Sequence, residues 1–421
     1  MNTILFIITL IVVTDFMFSL WLDWLNNKYR TGKLPKELQN IYDHKQYEKS
    51  INYGKLNFRF GIINGTFNTL LLITVLLFGG FAWLSDIVIN ITDNFIYRSL
   101  LFFGIIYFVN DILNIPFSIY NTFVIEKRFG FNKTTLRTFI SDKIKSWLLI
   151  IVIGGSIFAL ILYFYQITNK DFWIWAWLLL SGFSIFMAMF YANLIVPLFN
   201  KQTPLEAGEL QTAIRKFTEK VNFKLDNIFI INGSKRSTKA NAYFTGLGSK
   251  KRIVLYDTLV EQMTIDEIVA VLSHEIGHYK KKHILKSILI SIVHTGVLLW
   301  IFSFFAESKL LSSALLTSPL GYHSIHTETT YFYLNMIVFG ILYSPLSTLL
   351  SLIMNHFSRK NEFQADAFAG KNGMAEQLIS GLKKLSSNNL SNLLPHPYYV
   401  FVHYSHPTLL QRIKKLQQFI H

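Results

Sequence analysis

The chain has 421 residues, of which 51% are hydrophobic and only 15% are charged, and its mean hydropathy is +0.35. Ordinary soluble domains carry about 25% charged residues, so this composition argues against a soluble protein and for a membrane protein. No cysteine is present, which excludes disulfides and thiolate metal sites, so a metal would need histidine and carboxylate ligands. The net charge of +15 would suit nucleic acid, but its distribution along the chain favours a membrane surface instead.

Seven apolar runs have the length of about 20 residues that a hydrocarbon core of roughly 30 Å requires. They lie at residues 3–22, 63–85, 99–123, 146–166, 173–198, 287–306 and 332–354. The first run lacks a basic start and a small-residue cleavage site, so we read it as a mature span and not as a signal peptide. The predicted fold class is a mainly α, polytopic membrane protein with seven transmembrane helices.

Lysine and arginine alternate between the predicted connections. The connections that follow the seven spans carry, in order, 8, 1, 6, 1, 14, 1 and 8 of these residues. Under the positive-inside rule, this alternation predicts an outside or lumenal N-terminus and a cytoplasmic C-terminus. Segments 199–285 and 355–421 would then share the cytoplasmic face. The excess charge is a topology signal with attraction to anionic lipid, and we expect the bilayer, and no nucleic acid, as a partner.

The segment "VLSHEIGHYKKKH" at 271–283 contains two histidines four residues apart. On a helix, His274 and His278 lie on one face and can ligate one metal, while Glu275 can reach a water molecule beside it. Thr264 to Glu267 reads as a capping box, and an apolar stripe at helical spacing follows it, so we predict a helix here. The competing interpretation is a helix that enters the membrane through a basic collar, which explains the lysines but not the histidines.

A catalytic zinc needs a third protein ligand, and "SRKNEFQADAFA" at 358–369 offers one. Glu362 and Asp366 stand four apart on a predicted helix just beyond the seventh span. Glu362 could complete the ligand set, and Asp366 could accept a hydrogen bond from a ligand imidazole. Taken alone, such a pair is more often a solvated helix face. Its position on the same predicted membrane face as the histidines gives it weight.

These residues resemble the type 1 CAAX prenyl proteases, which are integral-membrane zinc metallopeptidases of the gluzincin kind with seven spans. The resemblance covers nearly the whole chain and rests on five blocks in the expected order. They are "VIEKRFGFNKTT" at 124–135, "NAYFTGLGSKKRIVLYDTL" at 241–259, "HEIGH" at 274–278, "SRKNEFQADAFA" at 358–369 and "SHPTLLQRI" at 405–413. Apart from the zinc helix, each block is weak alone.

The resemblance implies that His274, His278 and Glu362 hold one zinc ion and that Glu275 is the general base. It implies that Asp366 supports a ligand histidine. The family fold is a ring of seven helices around a water-filled chamber, with a small α/β peptidase portion at the cytoplasmic face.

The resemblance further suggests that His406 and Arg412 lie near the substrate carbonyl or the carboxyl end of the peptide. Residues 226–231 and the pair around 241–256 read as short strands with a Gly-Ser-Lys turn. We expect Asn241 to Thr245 to form an edge strand to which an extended substrate adds, with Asn241, Ala242 and Tyr243 as substrate-binding residues. The role of His283 stays open.

Polar residues inside the predicted spans bear on the chamber. They are Asp15, Asn110, Asp111, Asn114 and His294. Such residues are costly in lipid and face protein or water. They fit a wet interior, ordinary hydrogen bonding between helices, or an ion pathway, and the sequence leaves these alternatives open.

The chain is divided into 1–198 with five spans, 199–285 with strands and zinc helix, 286–354 with two spans, and 355–421 with the third ligand. The predicted activity is a zinc endopeptidase acting on peptides or proteins. The resemblance implies removal of the last three residues of a C-a-a-X tail after prenylation of its Cys, and the sequence shows no readable prenyl specificity. A broad quality-control peptidase, a transporter and an inactive scaffold are the alternatives. Composition and short connections favour a bacterial plasma membrane over the endoplasmic reticulum.

Overall fold

Helices form most of the computed structural model, which describes residues 2–30, 34–39, 41–224, 228–246 and 252–420. The helices of the first half are α1 Thr3–Tyr29, α2 His44–Leu77, α3 Gly80–Ile91, α4 Phe95–Ile119, α5 Leu136–Leu149, α6 Gly155–Thr168, α7 Phe172–Leu194 and α8 Val196–Phe199. The helices of the second half are α9 Glu209–Lys220, α10 Asp257–Gln262, α11 Ile265–Lys280, α12 His283–Ser303, α13 Lys309–Leu316, α14 Phe332–Lys371, α15 Ala375–Asn388, α16 Pro397–His403 and α17 Leu409–Leu416. Two π-helical segments, Tyr120–Glu126 and Ile150–Gly154, extend α4 and join α5 to α6.

Within the described residues, six helical segments are long and apolar enough to cross a membrane. They are Thr3–Tyr29, His44–Leu77, Phe95–Glu126, Leu136–Phe199, His283–Ser303 and Phe332–Lys371. Large apolar side chains are exposed along them, such as Phe6, Leu10 and Met17 on α1. Exposed apolar surface on this scale needs lipid around it. The chain is therefore a polytopic, mainly helical membrane protein.

One predicted span is broken into two helices, and two others lie in one long helical segment. The predicted run 63–85 is not one helix, because α2 ends at Leu77 and α3 begins at Gly80. Gly79 between them has φ of +75°, a left-handed conformation that breaks the helix. The predicted runs 146–166 and 173–198 lie in the single 64-residue segment Leu136–Phe199. A short 3₁₀ turn, Asn169–Asp171, interrupts that segment.

Helix α14 is longer than the sequence indicated. It runs without interruption for 40 residues, so the predicted seventh span and the predicted third-ligand helix are one element. At about 1.5 Å per residue, its length is roughly 60 Å, twice the hydrocarbon core of a bilayer. The C-terminal third of α14 therefore projects beyond the apolar part and carries Glu362 and Asp366.

The described strands form one small sheet in the order β1-β2-β4-β3. Its strands are β1 Gln202–Pro204, β2 Ile228–Ile231, β3 Ala242–Thr245 and β4 Arg252–Tyr256. Strand β4 is parallel to β2 and antiparallel to β3, so β3 is an edge strand, as predicted. Asn241 precedes β3, but its carbonyl still accepts from the amide of Tyr256 at 3.1 Å. The predicted turn at 248–250 and residues 226–227 lie outside the described residues.

Helix α11 is the centre of the largest hydrophobic core. Ile268, Leu272 and Ile276 are almost fully buried and repeat at helical spacing. Partners from the sheet, α9, α15 and α17 surround them. Since α11 is enclosed on several sides, polar groups on it need partners within the protein.

The polar residues inside the spans pair with neighbouring helices. Asp111 on α4 accepts hydrogen bonds from Lys143 Nζ at 2.7 Å and Trp147 Nε1 at 2.8 Å. The hydroxyl of Ser344 donates to Asp15 at 2.8 Å, and His294 lies 2.7 Å from the hydroxyl of Tyr343. Asn114 and Asn110 belong to an amide network that includes Asn68 of α2. Of the alternatives for these residues, hydrogen bonding between helices is thus observed.

Candidate metal centre and substrate cleft

The helix that carries the two histidines begins at a capping box, as predicted. Thr264 Oγ1 accepts from the amide of Glu267 at 3.3 Å, and the Glu267 carboxylate accepts from the amide of Thr264 at 2.9 Å. Glu267 also accepts from Lys384 Nζ on α15 at 2.7 Å. This cap sets the start of α11, and therefore which of its faces His274 and His278 occupy.

Three candidate ligand atoms meet between α11 and α14. His278 Nε2 lies 3.1 Å from His274 Nε2 and 3.1 Å from Glu362 Oε1, and His274 Nε2 lies 3.4 Å from Glu362 Oε2. One ligand atom from each of the three residues falls within 4.8 Å of the others. Two helices that are distant in sequence thus bring together the three residues predicted as ligands.

The polar groups at this point suit a metal ion. Glu362 is 5% exposed, and its Oε2 atom is buried without a hydrogen-bond partner among the described residues. A buried carboxylate oxygen without a partner is costly, and a cation would satisfy it. Two imidazoles and a carboxylate form a donor set that zinc uses in catalytic sites, where a further position stays open.

His274 is held from behind by Asp366 and Arg412. Asp366 is fully buried and its Oδ1 lies 2.8 Å from His274 Nδ1. Arg412 donates to both Asp366 oxygens, at 2.9 Å from Nε and 2.6 Å from Nη2. Burial and the Arg412 charge favour a neutral imidazole, but the nearby carboxylates of Asp366 and Glu362 outweigh them and raise the pKa of His274 to about 9. The carboxylates therefore concentrate negative potential on this histidine.

A close helix contact sets the spacing of the site. A Cβ atom on Gly277 would lie 3.0 Å from Ala365 Cα and 3.1 Å from Phe368 Cβ of α14. Backbone and side chain of α14 therefore occupy the space that any larger residue would need. Glycine at this position allows the two ligand-bearing helices to approach each other.

A cleft of about 370 Å³ opens onto the three candidate ligands. Its polar lining includes Glu275, which is partly exposed, together with His406 and Arg412. Asn241, Ala242 and Tyr243 line the cleft too, and burial raises the pKa of Tyr243 to about 12. Every residue that the sequence singled out for chemistry or substrate contact thus borders the same cleft or lies directly behind it.

His406 and Arg412 differ in their freedom to act. The side chain of His406 is 63% exposed, and its Nε2 lies 3.4 Å from Glu362 Oε1. Arg412 is only 12% exposed, and two of its three nitrogens donate to Asp366. The geometry therefore gives Arg412 a positioning contact and leaves His406 able to meet a ligand in the cleft.

The sequence reading missed the apolar side of the cleft and one polar neighbour of the site. Leu378, Leu382 and Leu385 of α15 belong to the lining of the cleft. Their spacing predicts an amphipathic helix, but no local signal says which element it faces. Gln364, two residues after Glu362, lies 2.9 Å from His283 Nε2.

Two family models match the chain in tandem. One is described as the CAAX prenyl protease N-terminal region with five membrane helices and matches residues 25–201. The other is peptidase family M48 and matches residues 204–420. The boundary between them falls just after α8, where the first group of membrane helices ends and the sheet begins.

Whole-length relatives show the same similarity. CAAX prenyl protease 1 of Saccharomyces cerevisiae is 34% identical, over 96% of this chain and 93% of its own length. The CAAX prenyl protease 1 homolog of Homo sapiens is 33% identical over 94% and 92% of the two chains. The crystal structure of S. mikatae Ste24p superposes with a TM-score of 0.92 at 34% identity and covers 99% of both chains.

Proposed function

Because the chain belongs to peptidase family M48 and carries the N-terminal region of the CAAX prenyl proteases, we propose that it is an integral-membrane zinc endopeptidase that removes the last three residues of prenylated C-a-a-X proteins. The observation that carries the proposal is the shared cleft. It joins three candidate metal ligands, a partly exposed glutamate and an edge strand. A transporter has no use for that combination.

Strand β3 is the proposed platform for the substrate. It lies at the edge of the described sheet, and residues 241–244 line the cleft. An extended peptide can add to such an edge through backbone hydrogen bonds, which are independent of side-chain identity. The peptide would then run past Glu275 and the candidate ligands.

His274, His278 and Glu362 would hold the zinc, which supplies Lewis acidity at the scissile carbonyl when bound. Glu275 takes the proton from the attacking water and delivers it to the leaving amine. His406 donates to the carbonyl oxygen as negative charge develops on it. Arg412 donates to Asp366 through two of its three nitrogens and positions that carboxylate against His274.

The apolar side of the cleft suits the substrate class. Leu378, Leu382 and Leu385 belong to its lining, and Leu382 and Leu385 are partly exposed. Burial of one aliphatic side chain contributes roughly 1.5–3 kcal/mol, so aliphatic residues next to the scissile bond would bind well here. This agrees with the two aliphatic positions of a C-a-a-X tail.

We propose seven membrane crossings around a water-filled chamber. The 64-residue segment Leu136–Phe199 would be about 96 Å long as one helix, far more than a roughly 30 Å core needs. Its interruption at Asn169–Asp171 divides it into two crossings. The proposed division is 1–198, 199–285, 286–354 and 355–421, with the N-terminus outside and the C-terminus cytoplasmic. A bacterial plasma membrane stays a prediction.

The test is mass-spectrometric mapping of cleavage by the zinc-loaded protein in detergent. One C-a-a-X peptide is offered in farnesylated and bare forms. We expect loss of the last three residues from the farnesylated form. Glu275→Gln should keep its zinc and lose at least 100-fold in cleavage rate, since removal of a general base typically costs about 10²–10⁴-fold. His274→Ala should lose the zinc itself, as measured by elemental analysis.

Three results would contradict the proposal. Full activity of Glu275→Gln would remove the assigned base. Cutting of both peptide forms at many sites would make the protein a broad membrane peptidase. A zinc-loaded protein that cuts neither form would favour an inactive scaffold.

A further inference from the structure

His283 is a buried polar residue that the proposed mechanism leaves without a role. It is the first residue of α12 and is 3% exposed. Its Nδ1 lies 3.1 Å from Nδ1 of His278, and its Nε2 lies 2.9 Å from Oε1 of Gln364. Both ring nitrogens therefore have a partner, and one partner is a candidate metal ligand.

A tight turn brings His283 to this place. Lys282 adopts a left-handed conformation with φ of +57° between the end of α11 and the start of α12. The chain reverses there, so that His283 returns to the last turn of α11, where His278 lies. Gln364 reaches the same point from α14, two residues after Glu362. Three helices thus meet around one imidazole.

The hydrogen-bond partners determine where the protons lie. The amide oxygen of Gln364 can only accept, so Nε2 of His283 carries a proton. In a neutral imidazole the other nitrogen, Nδ1, is then an acceptor, and it takes the hydrogen of His278 Nδ1. His278 consequently keeps a lone pair on Nε2. That atom is the one that faces His274 Nε2 and Glu362 Oε1 at 3.1 Å.

We propose that His283 and Gln364 are positioning residues that fix the tautomer and ring orientation of His278 for metal binding. The inference rests on the zinc centre proposed above. For His274 the corresponding partner is a carboxylate, since Asp366 Oδ1 lies 2.8 Å from His274 Nδ1. The two histidine ligands therefore have partners of different chemistry, a carboxylate for one and a neutral imidazole backed by an amide for the other.

The opposite proton order would disable the site. If Nδ1 of His283 donated to His278, the hydrogen of His278 would move to Nε2 and point at His274. His278 would then present no lone pair to the metal position beside His274 and Glu362. Gln364 prevents this order as long as its oxygen faces His283, which is why both residues are needed.

Two near-isosteric substitutions of His283 test its contact with His278 and its contact with Gln364 separately. In His283→Asn, the side-chain oxygen takes the place of Nδ1 and can still accept from His278, while contact with Gln364 is lost. In His283→Gln, the terminal amide takes the place of Nε2, so contact with Gln364 is kept and the acceptor for His278 is lost. Gln364→Met removes the terminal acceptor at a partly exposed position and leaves His283 in place.

The measurement is zinc affinity by competition with a chromogenic chelator, with thermal unfolding of the metal-free proteins alongside. We expect His283→Asn to bind zinc within about 3-fold of the unaltered protein. His283→Gln should bind about 10–100-fold more weakly, the usual effect of losing a partner behind a metal ligand. Gln364→Met should bind several-fold more weakly, with unchanged thermal unfolding of the metal-free form.

Equal zinc affinity in all three variants would overturn the inference. Equal loss in His283→Asn and His283→Gln, together with lower unfolding temperatures of the metal-free proteins, would do so too, because it would mean that His283 only fills space. If neither His283 variant folds, Gln364→Met decides the inference. Unchanged zinc affinity of that variant overturns it, and a several-fold loss of affinity supports it. Failure of the zinc centre itself is recognised separately, since His274→Ala would then leave the metal content unchanged.

Discussion

Asp366 combines two interactions that are normally found in separate residues. It accepts from His274 Nδ1, and it pairs with the guanidinium of Arg412 through both oxygens. Solvent has little access to this cluster, because Asp366 is fully buried, His274 is 6% exposed and the Arg412 side chain is 12% exposed. Ligand orientation and local stability therefore depend on the same carboxylate.

Asp366→Asn should weaken both zinc binding and the stability of the folded protein. The amide offers one neutral acceptor in place of a carboxylate, so we expect zinc affinity to fall about 10–100-fold in chelator competition. Arg412 would also lose its counter-charge, and breaking a buried pair costs about 3–5 kcal/mol, visible as a lower unfolding temperature.

The double variant Asp366→Asn with Arg412→Met is the matched control for that prediction. It removes the buried charge that the single change leaves unpaired, so part of the lost stability should return while zinc affinity stays low. Zinc binding by Asp366→Asn at full affinity would show that His274 does not need the carboxylate.

The crossing of α11 and α14 determines the geometry of the site among the helices. Helix α11 carries two of the candidate ligands and α14 carries the third, so the full set of three forms only where the two helices cross. The contact at Gly277 sets the distance between them, because Ala365 and Phe368 atoms would lie only 3.0–3.1 Å from a Cβ there. A change of one methyl group at this contact should therefore be felt at His278 and Glu362.

Gly277→Ala should separate the two helices by a few tenths of an ångström. Overpacking of this kind costs about 1–3 kcal/mol, and we expect a lower unfolding temperature together with weaker zinc binding. Gly381→Ala on α15 is the control, since its Cβ would meet neighbours at an ordinary 3.5–3.8 Å. Alanine there should stabilise α15 by about 0.5–1 kcal/mol. Equal behaviour of the two variants would contradict the role given to the crossing.

At the scale of the whole molecule, membrane orientation decides where substrate arrives. The alternation of lysine and arginine places 199–285 and 355–421 on one face, and the structure joins these two segments in one hydrophobic core. The positive-inside rule assigns that face to the cytoplasm. The chain contains no cysteine, so single cysteines can report orientation without a background.

Glu209→Cys on α9 and Glu328→Cys before α14 test this orientation. Both side chains are exposed. In sealed vesicles with the cytoplasmic face outward, an impermeant maleimide should label Glu209→Cys at once and Glu328→Cys only after detergent is added. The reverse order would invert the predicted topology, and immediate labelling of both would place the two segments on one face.

Much of the candidate site was predictable, because its residues stand at regular helical spacing within short segments of the sequence. His274 and His278 share a helix face by periodicity alone, the capping box marks the start of that helix, and Glu362 with Asp366 repeats the same spacing. The edge position of β3 was also predicted, from a short strand pair beside the zinc helix. Apart from the edge position, which depends on the pairing of β4 with β2, each of these features depends on residues within a few positions of one another.

Other features depend on contacts between distant segments and could not be read from spacing. The engagement of Arg412 by Asp366, the place of the α15 leucines in the cleft and the meeting of His278, His283 and Gln364 arise only when three or more helices pack. The sequence by itself determined that this is a polytopic membrane protein with a candidate metal pair on a helix, because hydropathy and helical period are local properties. Only the tertiary structure decided which atoms face each other, since the choice of hydrogen-bond partner in a buried site follows from packing.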